Sequence, residues 1–426
     1  MTGTSFKIAI IGSGPSGCFA AQFLRKAWKD AEITIFEALP VPYGLVRYGV
    51  APDHQGSKSV TAQFARLFER EGVRFAGNVT IGEDLTFEDL AAAFDIIVPA
   101  TGLGCDRRLP VEAHPDCPVI GAGALIRALN GHPDMALPAH ADGLPRPLGA
   151  RVAVVGNGNV AMDVVRLLAK PLDQFGGSDI DDTRLAALRR RGVARIDVFG
   201  RSPIGAAKFD LSMFKEILGL ANVRVSQSGT AACPPCDALE ALSAAEARSA
   251  NGALSIHFHF GAQPIALLHG PHGPLLSVET GDGIASHEVD SVITALGFHD
   301  SRPSGHPCSA QSWSGAQVFP VGWLQNGGKG TIAANRKSAK ETAGEIAAAA
   351  KDRHLVPAAP GFAAVADRIA DTLVDYEGWC RIDAHERATC APGRPRLKLT
   401  DRAEMLAVAR ALPRDADGTD RPHAAH

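Results

Sequence analysis

Two glycine-rich segments constrain this chain of 426 residues more than anything else in it. The first, Gly12-Ser13-Gly14-Pro15-Ser16-Gly17, directly follows the apolar run Lys7-Ile8-Ala9-Ile10-Ile11. The second, Gly156-Asn157-Gly158-Asn159-Val160-Ala161, directly follows Arg151-Val152-Ala153-Val154-Val155. A short apolar run, a glycine turn and a helical segment in that order open a βαβ unit. The glycines let the backbone turn tightly and come close to a pyrophosphate, whose charge the helix N-terminus then stabilises. One such motif is a weak signal. Two in this context predict a chain that brings two dinucleotides together.

The two units differ where the ligand is chosen. After the first motif, Glu32-Ile33-Thr34-Ile35-Phe36 ends in Glu37, about twenty residues past the last glycine. A carboxylate there accepts hydrogen bonds from ribose hydroxyls, and its charge repels a 2′-phosphate. The corresponding strand of the second unit, Arg195-Ile196-Asp197-Val198-Phe199, ends in Gly200-Arg201-Ser202. It offers a guanidinium in place of an acid, which suits the 2′-phosphate of NADP. The first site therefore reads as FAD and the second as NADP(H). Flavin beside nicotinamide implies hydride transfer, because flavin takes two electrons together and releases them singly.

Composition bounds the rest. The length accommodates two or three domains with real cores. A net charge of −3 argues against a nucleic-acid binder. No apolar stretch reaches membrane-spanning length, and Met1 to Phe6 lead straight into the first strand, so no signal or transit peptide is expected. The eight cysteines are scattered, as in a reducing compartment, and the expectation is a cytoplasmic protein. Cys233-Pro234-Pro235-Cys236 is read as an inert loop between strand-like segments, with a redox dithiol as the alternative. It has no second pair to complete a zinc ribbon. No cysteine cluster precedes the first fingerprint, so iron–sulfur ligands are not expected, nor is any other metal site.

Along the chain the pattern duplicates. Asp95-Ile96-Ile97-Val98-Pro99-Ala100-Thr101-Gly102 is an apolar strand ending in small residues, and Asp290-Ser291-Val292-Ile293-Thr294-Ala295-Leu296-Gly297 repeats it. The fold class expected is α/β, with two Rossmann-like dinucleotide-binding domains. The FAD domain is discontinuous (1–104 and 318–426, the latter with a C-terminal extension) and the NADP domain (105–317) is inserted in it. Leu39 to His54 reads as a loop rich in Pro and Gly, Val318 to Trp323 as strand-like, and about Ser338 to Ala350 as a helix. Arg189-Arg190-Arg191-Gly192 closes a helix in the second unit. Its alternative reading is a basic face for an acidic electron carrier. Arg414 to His426 reads as a polar, disordered tail.

Taken together these motifs resemble the adrenodoxin-reductase-like NADPH–ferredoxin reductases, over nearly the whole chain. The resemblance rests on Val41-Pro42-Tyr43-Gly44-Leu45-Val46-Arg47-Tyr48-Gly49-Val50-Ala51-Pro52-Asp53-His54 and on Gly158-Asn159-Val160-Ala161-Met162-Asp163-Val164-Val165-Arg166. It extends to Gly322-Trp323, to Gly378-Trp379-Cys380-Arg381-Ile382-Asp383 and to Gly393-Arg394-Pro395-Arg396. It implies FAD contacts at Gly12, Gly14, Ser16, Gly17, Glu37, Gly44, Leu45 and Ile81, with Gly322, Trp323, Gly330, Thr331 and Ile332 at the flavin end. NADP is implied at Gly156, Asn157, Gly158, Asn159, Val160, Arg201 and Ser202. His54 resembles the family's active-site histidine, Glu216 is the best match for its acid partner, and Asp163 joins them as a catalytic candidate. The implied activity is ferredoxin–NADP(+) reductase, passing a hydride from NADPH to flavin N5 and single electrons to a ferredoxin or flavodoxin.

Departures from that family are visible. Arg201-Ser202 stands where two arginines are usual, and Met213 stands where a glutamate commonly joins the site, leaving Lys208 as a substitute cation. Gln325-Asn326-Gly327-Gly328-Lys329-Gly330 replaces a pattern richer in charge and proline. Competing readings are a flavoprotein reductase of a disulfide through Cys233 and Cys236, or of a quinone-like acceptor. Others are a glutamate-synthase-type input subunit, whose cysteine clusters are missing, and a non-catalytic dinucleotide-binding protein.

Overall fold

The structure is a computed structural model describing residues 5–115, 117–134, 137–230, 233–248, 253–300, 313–315, 317–328 and 330–411. The tail from Arg414 onward lies outside the described residues. The chain forms two compact units. The first comprises Met1–Val50, His54–Leu103 and Asp300–His426, and the second Ala51–Asp53 and Gly104–His299.

In the first unit a parallel sheet runs in the order β3 (Arg74–Gly77), β2 (Glu32–Glu37), β1 (Lys7–Ile11), β4 (Ile96–Pro99). The strands are apolar at successive positions because both faces are covered, as in parallel sheets generally. Ile8, Ile10, Ile33 and Ile35 pack against Phe19 and Leu24 of α1 (Pro15–Ala27) and against Ala339 and Ile346 of the helix Ile332–Asp352. Ala9, Ile11, Phe36 and Ile97 face Phe94 and Phe362 on the other side.

The chain returns to this sheet beside β4. Ile97 donates to Gln317 O, Phe319 donates to Ile97 O, and Val321 donates to Pro99 O, each at 2.9 Å. The strand-like segment stops there. Gly322, at φ +74°, turns the backbone into a short helix, Trp323–Asn326. The long helix that follows begins earlier than its apolar spacing announces. Thr331 caps it by accepting from the Ala334 amide, and the first turn is exposed, so periodicity carries no signal there. The Pro- and Gly-rich stretch after β2 likewise holds a one-turn helix, Gly44–Tyr48.

The second unit repeats the plan with six parallel strands, in the order Val223–Ser228, Leu254–Phe260, Arg195–Gly200, Arg151–Val155, Ser291–Thr294, Val119–Gly121. A smaller sheet of Gly283–Glu288, Gly273–Thr280, Gln263–Gly270 and Glu112–Ala113 accompanies it. Leu267, Leu276 and Val278 of that sheet share a core with Phe199 and Val155. Cys233 and Cys236 lie between the strand Val223–Ser228 and the helix Asp237–Arg248, not between two strands, and both pack on the unit's main core. Arg189 closes the helix Asp182–Leu188, with its guanidinium donating to Lys170 O, and Gly192 turns away at φ +71°. Among the described residues no helix is long and apolar enough to cross a membrane.

Candidate functional site

The two fingerprints have the same internal geometry. In the first, Gly12 (φ +106°) donates to Phe36 O at 2.7 Å, and a Cβ on it would stand 2.6 Å from Ala100 O. In the second, Gly156 (φ +120°) donates to Phe199 O at 2.9 Å, and its Cβ would stand 2.4 Å from Ala295 O. Only glycine can pass the small residue that ends the opposite strand. The duplicated Ala100 and Ala295 patterns are thus the other half of each turn. Helix α1 starts at Gly14 and the helix Asn159–Ala169 starts at Gly158, both without a side-chain cap and without an acid in the first turn. Thr86, Asp181, Asp375 and Asp401 cap helices elsewhere. Open space lies where a Cβ on Gly14 or Gly158 would point. Free amides facing open space fit a pyrophosphate.

Around the first fingerprint the structure gathers residues distant in sequence. Glu37 ends β2 and turns back onto the loop: Ser13 N and Ser13 Oγ donate to its Oε2 at 3.0 and 2.6 Å, and Leu39 N donates to Oε1 at 3.2 Å. Tyr43 sits in the left-handed region at φ +82° while donating to Ser13 O and Ser13 Oγ. Such strain in a side-chain-bearing residue persists only where its surroundings over-determine it. It sets Gly44 against Gly14, where a Cβ would stand 3.0 Å from the Gly14 Cα. Gly322 closes the other side, for its Cβ would meet Ser16 Oγ at 2.0 Å. Leu45 is half-buried, and its carbonyl accepts from Gly49 and Val50. Ile81 is buried in the cluster that also holds Leu324, next to the half-buried Trp323. Gly330 (φ +108°), Thr331 and Ile332 form the start of the long helix, Gly330 and Thr331 exposed and Ile332 half-buried.

A buried ion-pair cluster supports this corner, and the sequence reading did not foresee it. Arg47 donates to Glu386, with 4% and 0% of the two side chains exposed. Glu386 also accepts from Arg396 Nη1 at 3.2 Å and from Leu399 N at 3.0 Å. The Arg47 guanidinium lies 5.1 Å from the ring centres of both Tyr48 and Trp379. Burial works against its charge, but the Glu386 carboxylate outweighs burial and raises its pKa above the ordinary arginine value.

In the second unit Gly200 stands where Glu37 stands in the first. A Cβ there would lie 2.2 Å from Asn157 Nδ2, so the Asn157 side chain fills the space that an acid would need. Among the described residues that buried Nδ2 has no hydrogen-bond partner. Asn159 is committed instead. It donates to Asp210 Oδ2 and accepts from Asp210 N, both at 2.6 Å, which ties the first turn of its helix to the start of Leu211–Leu218. Val160 is half-buried against the main core and Met213 packs there too. Arg201 and Lys208 are exposed, and Ser202 is half-buried.

The acids Asp163 and Glu216 come together on Arg166. This buried guanidinium donates to Asp163 Oδ1 at 2.5 Å and to Asp53 Oδ2 at 2.6 Å, and its Nε lies 3.3 Å from Glu216 Oε2. Lys170 adds a contact to Asp53 at 3.2 Å. Charge-assisted contacts of this kind fix side chains in place. His54, next in the chain after Asp53, belongs to the first unit and starts the one-turn helix Gln55–Lys58.

Two parallel-sheet units, each with an open fingerprint, define an oxidoreductase of the two-dinucleotide class. The pattern of the pyridine nucleotide-disulphide oxidoreductase family matches residues 6–308, and the chain belongs to that family. Cindoxin reductase of Citrobacter braakii is 41% identical, over 95% of this chain and 91% of that protein. The NADPH-ferredoxin reductase FprA of Mycobacterium tuberculosis is 30% identical, over 95% of this chain and 99% of that protein. The structure of FprA from Mycobacterium tuberculosis in complex with NADPH superposes with a TM-score of 0.82 at 30% identity, covering 96% of this chain and 100% of that one.

Proposed function

We propose that the protein is an FAD-dependent reductase that takes reducing equivalents from NADPH and passes them to a small one-electron carrier protein, in the cytoplasm. The observation that carries this reading is the contrast at one duplicated position, Glu37 in the first unit and Gly200-Arg201 in the second. FAD would be held by the amides of Gly14, Ser16 and Gly17, by Glu37 on the adenosine ribose and by the backbone at Gly44 and Gly322. Bound there, it supplies acceptance of an electron pair and release of single electrons.

The chain's own residues then have distinct tasks. Ser13 holds the Glu37 carboxylate in place for the ribose hydroxyls, and Tyr43 holds Gly44 close to the fingerprint. Asn157 offers its unpaired amide to the NADPH side, and Arg201 meets the 2′-phosphate. Arg166 fixes Asp53, Asp163 and Glu216, and we assign these acids to positioning the segment that leads into His54. His54 is the candidate for moving a proton near the flavin. The relatives named for cindoxin and ferredoxin support a small carrier as the acceptor.

The test is anaerobic titration of the purified yellow protein with NADPH, followed by addition of an oxidised ferredoxin or flavodoxin. Bleaching by NADPH and return of colour on adding the carrier support the reading. A protein that takes up no FAD, or one that NADPH does not bleach, overturns it. Bleaching without return of colour for either carrier class assigns the electrons to another acceptor.

A further inference from the structure

The sequence predicts no metal site, yet three potential ligands, none of them part of either fingerprint, converge in the second unit. One ligand atom each from Asp197, His259 and His287 lies within 4.8 Å of the others. Asp197 comes from the strand Arg195–Gly200, His259 from its neighbour Leu254–Phe260, and His287 from Gly283–Glu288 of the smaller sheet. We propose that these three residues bind a borderline divalent transition-metal ion of the zinc or cobalt type.

The surroundings are those of a built site. His259 stacks flat on Phe199, with ring centres 4.4 Å apart and planes at 11°, which fixes the imidazole. Its Nε2 lies 2.8 Å from Asp197 Oδ1, and ligand atoms on a tetrahedral zinc stand about 3.3 Å apart. A cation there replaces the proton that the two atoms share. That proton moves to Nδ1, where Ser228 Oγ at 3.2 Å accepts it, so the imidazole stays neutral. A second ring nitrogen held by a hydroxyl is the outer support that metal-bound histidines usually have. The His287 ring stands edge-on to His259 with centres 4.8 Å apart, and a small rotation of His287 completes three ligands.

One group opposes the ion. Arg195 grips both Asp197 oxygens, Nε to Oδ2 at 2.6 Å and Nη2 to Oδ1 at 2.8 Å. Its side chain is 48% exposed, so a cation that takes its place on the carboxylate displaces it towards solvent at a cost in affinity. Carboxylate and imidazole ligands favour zinc, cobalt or nickel over calcium or magnesium, which prefer oxygen.

The experiment uses the full-length holoprotein without a polyhistidine tag, freed of metal with a chelator and titrated with Zn²⁺ against a chromophoric competitor. Co²⁺ provides a visible spectrum. The expected result is one equivalent bound, weakened at least about tenfold in His259→Ala and His287→Ala. Arg195→Gln is expected to tighten binding severalfold, an effect that a cluster without a ligand role would not produce. Because His259 packs on Phe199, each variant is checked by its circular dichroism and flavin content. His287, on the less buried strand, serves as the variant least able to disturb the fold. A Cys233→Ser, Cys236→Ser background excludes thiol ligation. No binding, binding unchanged in both histidine variants, or binding lost only in the cysteine background overturns the proposal.

Discussion

Glu386→Gln is the sharpest probe of how the C-terminal part of the first unit supports its fingerprint. In the native chain both carboxylate oxygens of Glu386 are used, by Arg47 and Leu399 on one and by Arg396 on the other. The amide keeps the shape and one acceptor but removes the charge opposite Arg47. Arg396 retains Asp383 as a partner. Arg47 is left fully buried between two aromatic faces, and removing one member of a buried pair costs about 3–5 kcal/mol. The cost here belongs at the low end, about 3 kcal/mol, since the ring contacts and one hydrogen bond remain. With a urea slope of about 1–3 kcal/mol per M, the midpoint falls by roughly 1–3 M. The chain has two units, so the probe must report on the first one, and flavin release during the titration does so. Arg47 lies in the last turn of the short helix whose Gly44 rests on Gly14, so flavin is expected to leave at lower urea than in the parent. The double variant Arg47→Met, Glu386→Leu replaces the pair by apolar groups of similar size and should recover most of the loss. A midpoint shift below about 0.3 M in Glu386→Gln, or a double variant no more stable than the single one, would refute the reasoning.

Four further outcomes follow from the same geometry. Glu37→Ala leaves the buried Ser13 donors without acceptors, at about 1–3 kcal/mol each, and should loosen FAD at least tenfold by equilibrium dialysis; unchanged retention removes the assigned contact. Arg201→Ala should raise the Michaelis constant for NADPH about tenfold and leave NADH nearly untouched, whereas Ser202→Arg should sharpen the preference; equal losses with both coenzymes would move the 2′-phosphate contact elsewhere, Lys208 being next. Gly200→Ala should weaken both coenzymes alike by displacing Asn157, and Asn157→Gly should weaken them by a similar amount with little further loss when the two are combined; a silent Gly200→Ala would deny the contact between the two positions. Burial raises the Asp383 pKa, but the guanidinium groups of Arg396 and Arg387 outweigh it and hold the pKa below the usual carboxylate value. Its stabilisation is therefore complete above the unfolded value, about 3.9, and disappears as pH falls through the folded value. Asp383→Asn should flatten the fall of the urea midpoint below about pH 4, and an unaltered acid limb counts against the pairing.

What the sequence makes legible is what lies close together along the chain. The fingerprints, the strands before them and the residue ending each second strand all fall within a short βαβ unit, where periodicity and glycine placement report directly on geometry. The Gly12–Ala100 and Gly156–Ala295 contacts were half visible, as a repeated small-residue ending whose partner was not. Arg47 and Glu386 are 339 positions apart, and nothing local says that the motifs around Tyr48, Trp379 and Arg396 form one cluster. The metal candidate escaped for the same reason. His259 and His287 lie on strands of two different sheets, and Asp197 joins His259 only through a sheet order that departs from chain order. The sequence marks Asp163 and Glu216 as chemistry-bearing residues, while Arg166, which organises both, stands there only as the last residue of a motif, with nothing local to say which acids it holds.

Divergence between the two units comes down to how one corner is filled. At the end of the second strand the first unit carries an acid, and the residue after its first glycine, Ser13, is small enough to leave room and donates to that acid twice. The second unit carries Gly200, and the equivalent Asn157 is large enough to occupy the vacated space. Neither member of a pair can change alone. Glutamate at position 200 would collide with Asn157, and a larger residue at position 13 would displace Glu37 while removing its donors. On the proposed assignment, ligand choice is stored as two matched residues per site, and the same match shapes each fingerprint loop. An acid at the strand end suits ribose hydroxyls, and a guanidinium one residue beyond it suits a 2′-phosphate. One chain keeps both because it has two copies of that corner.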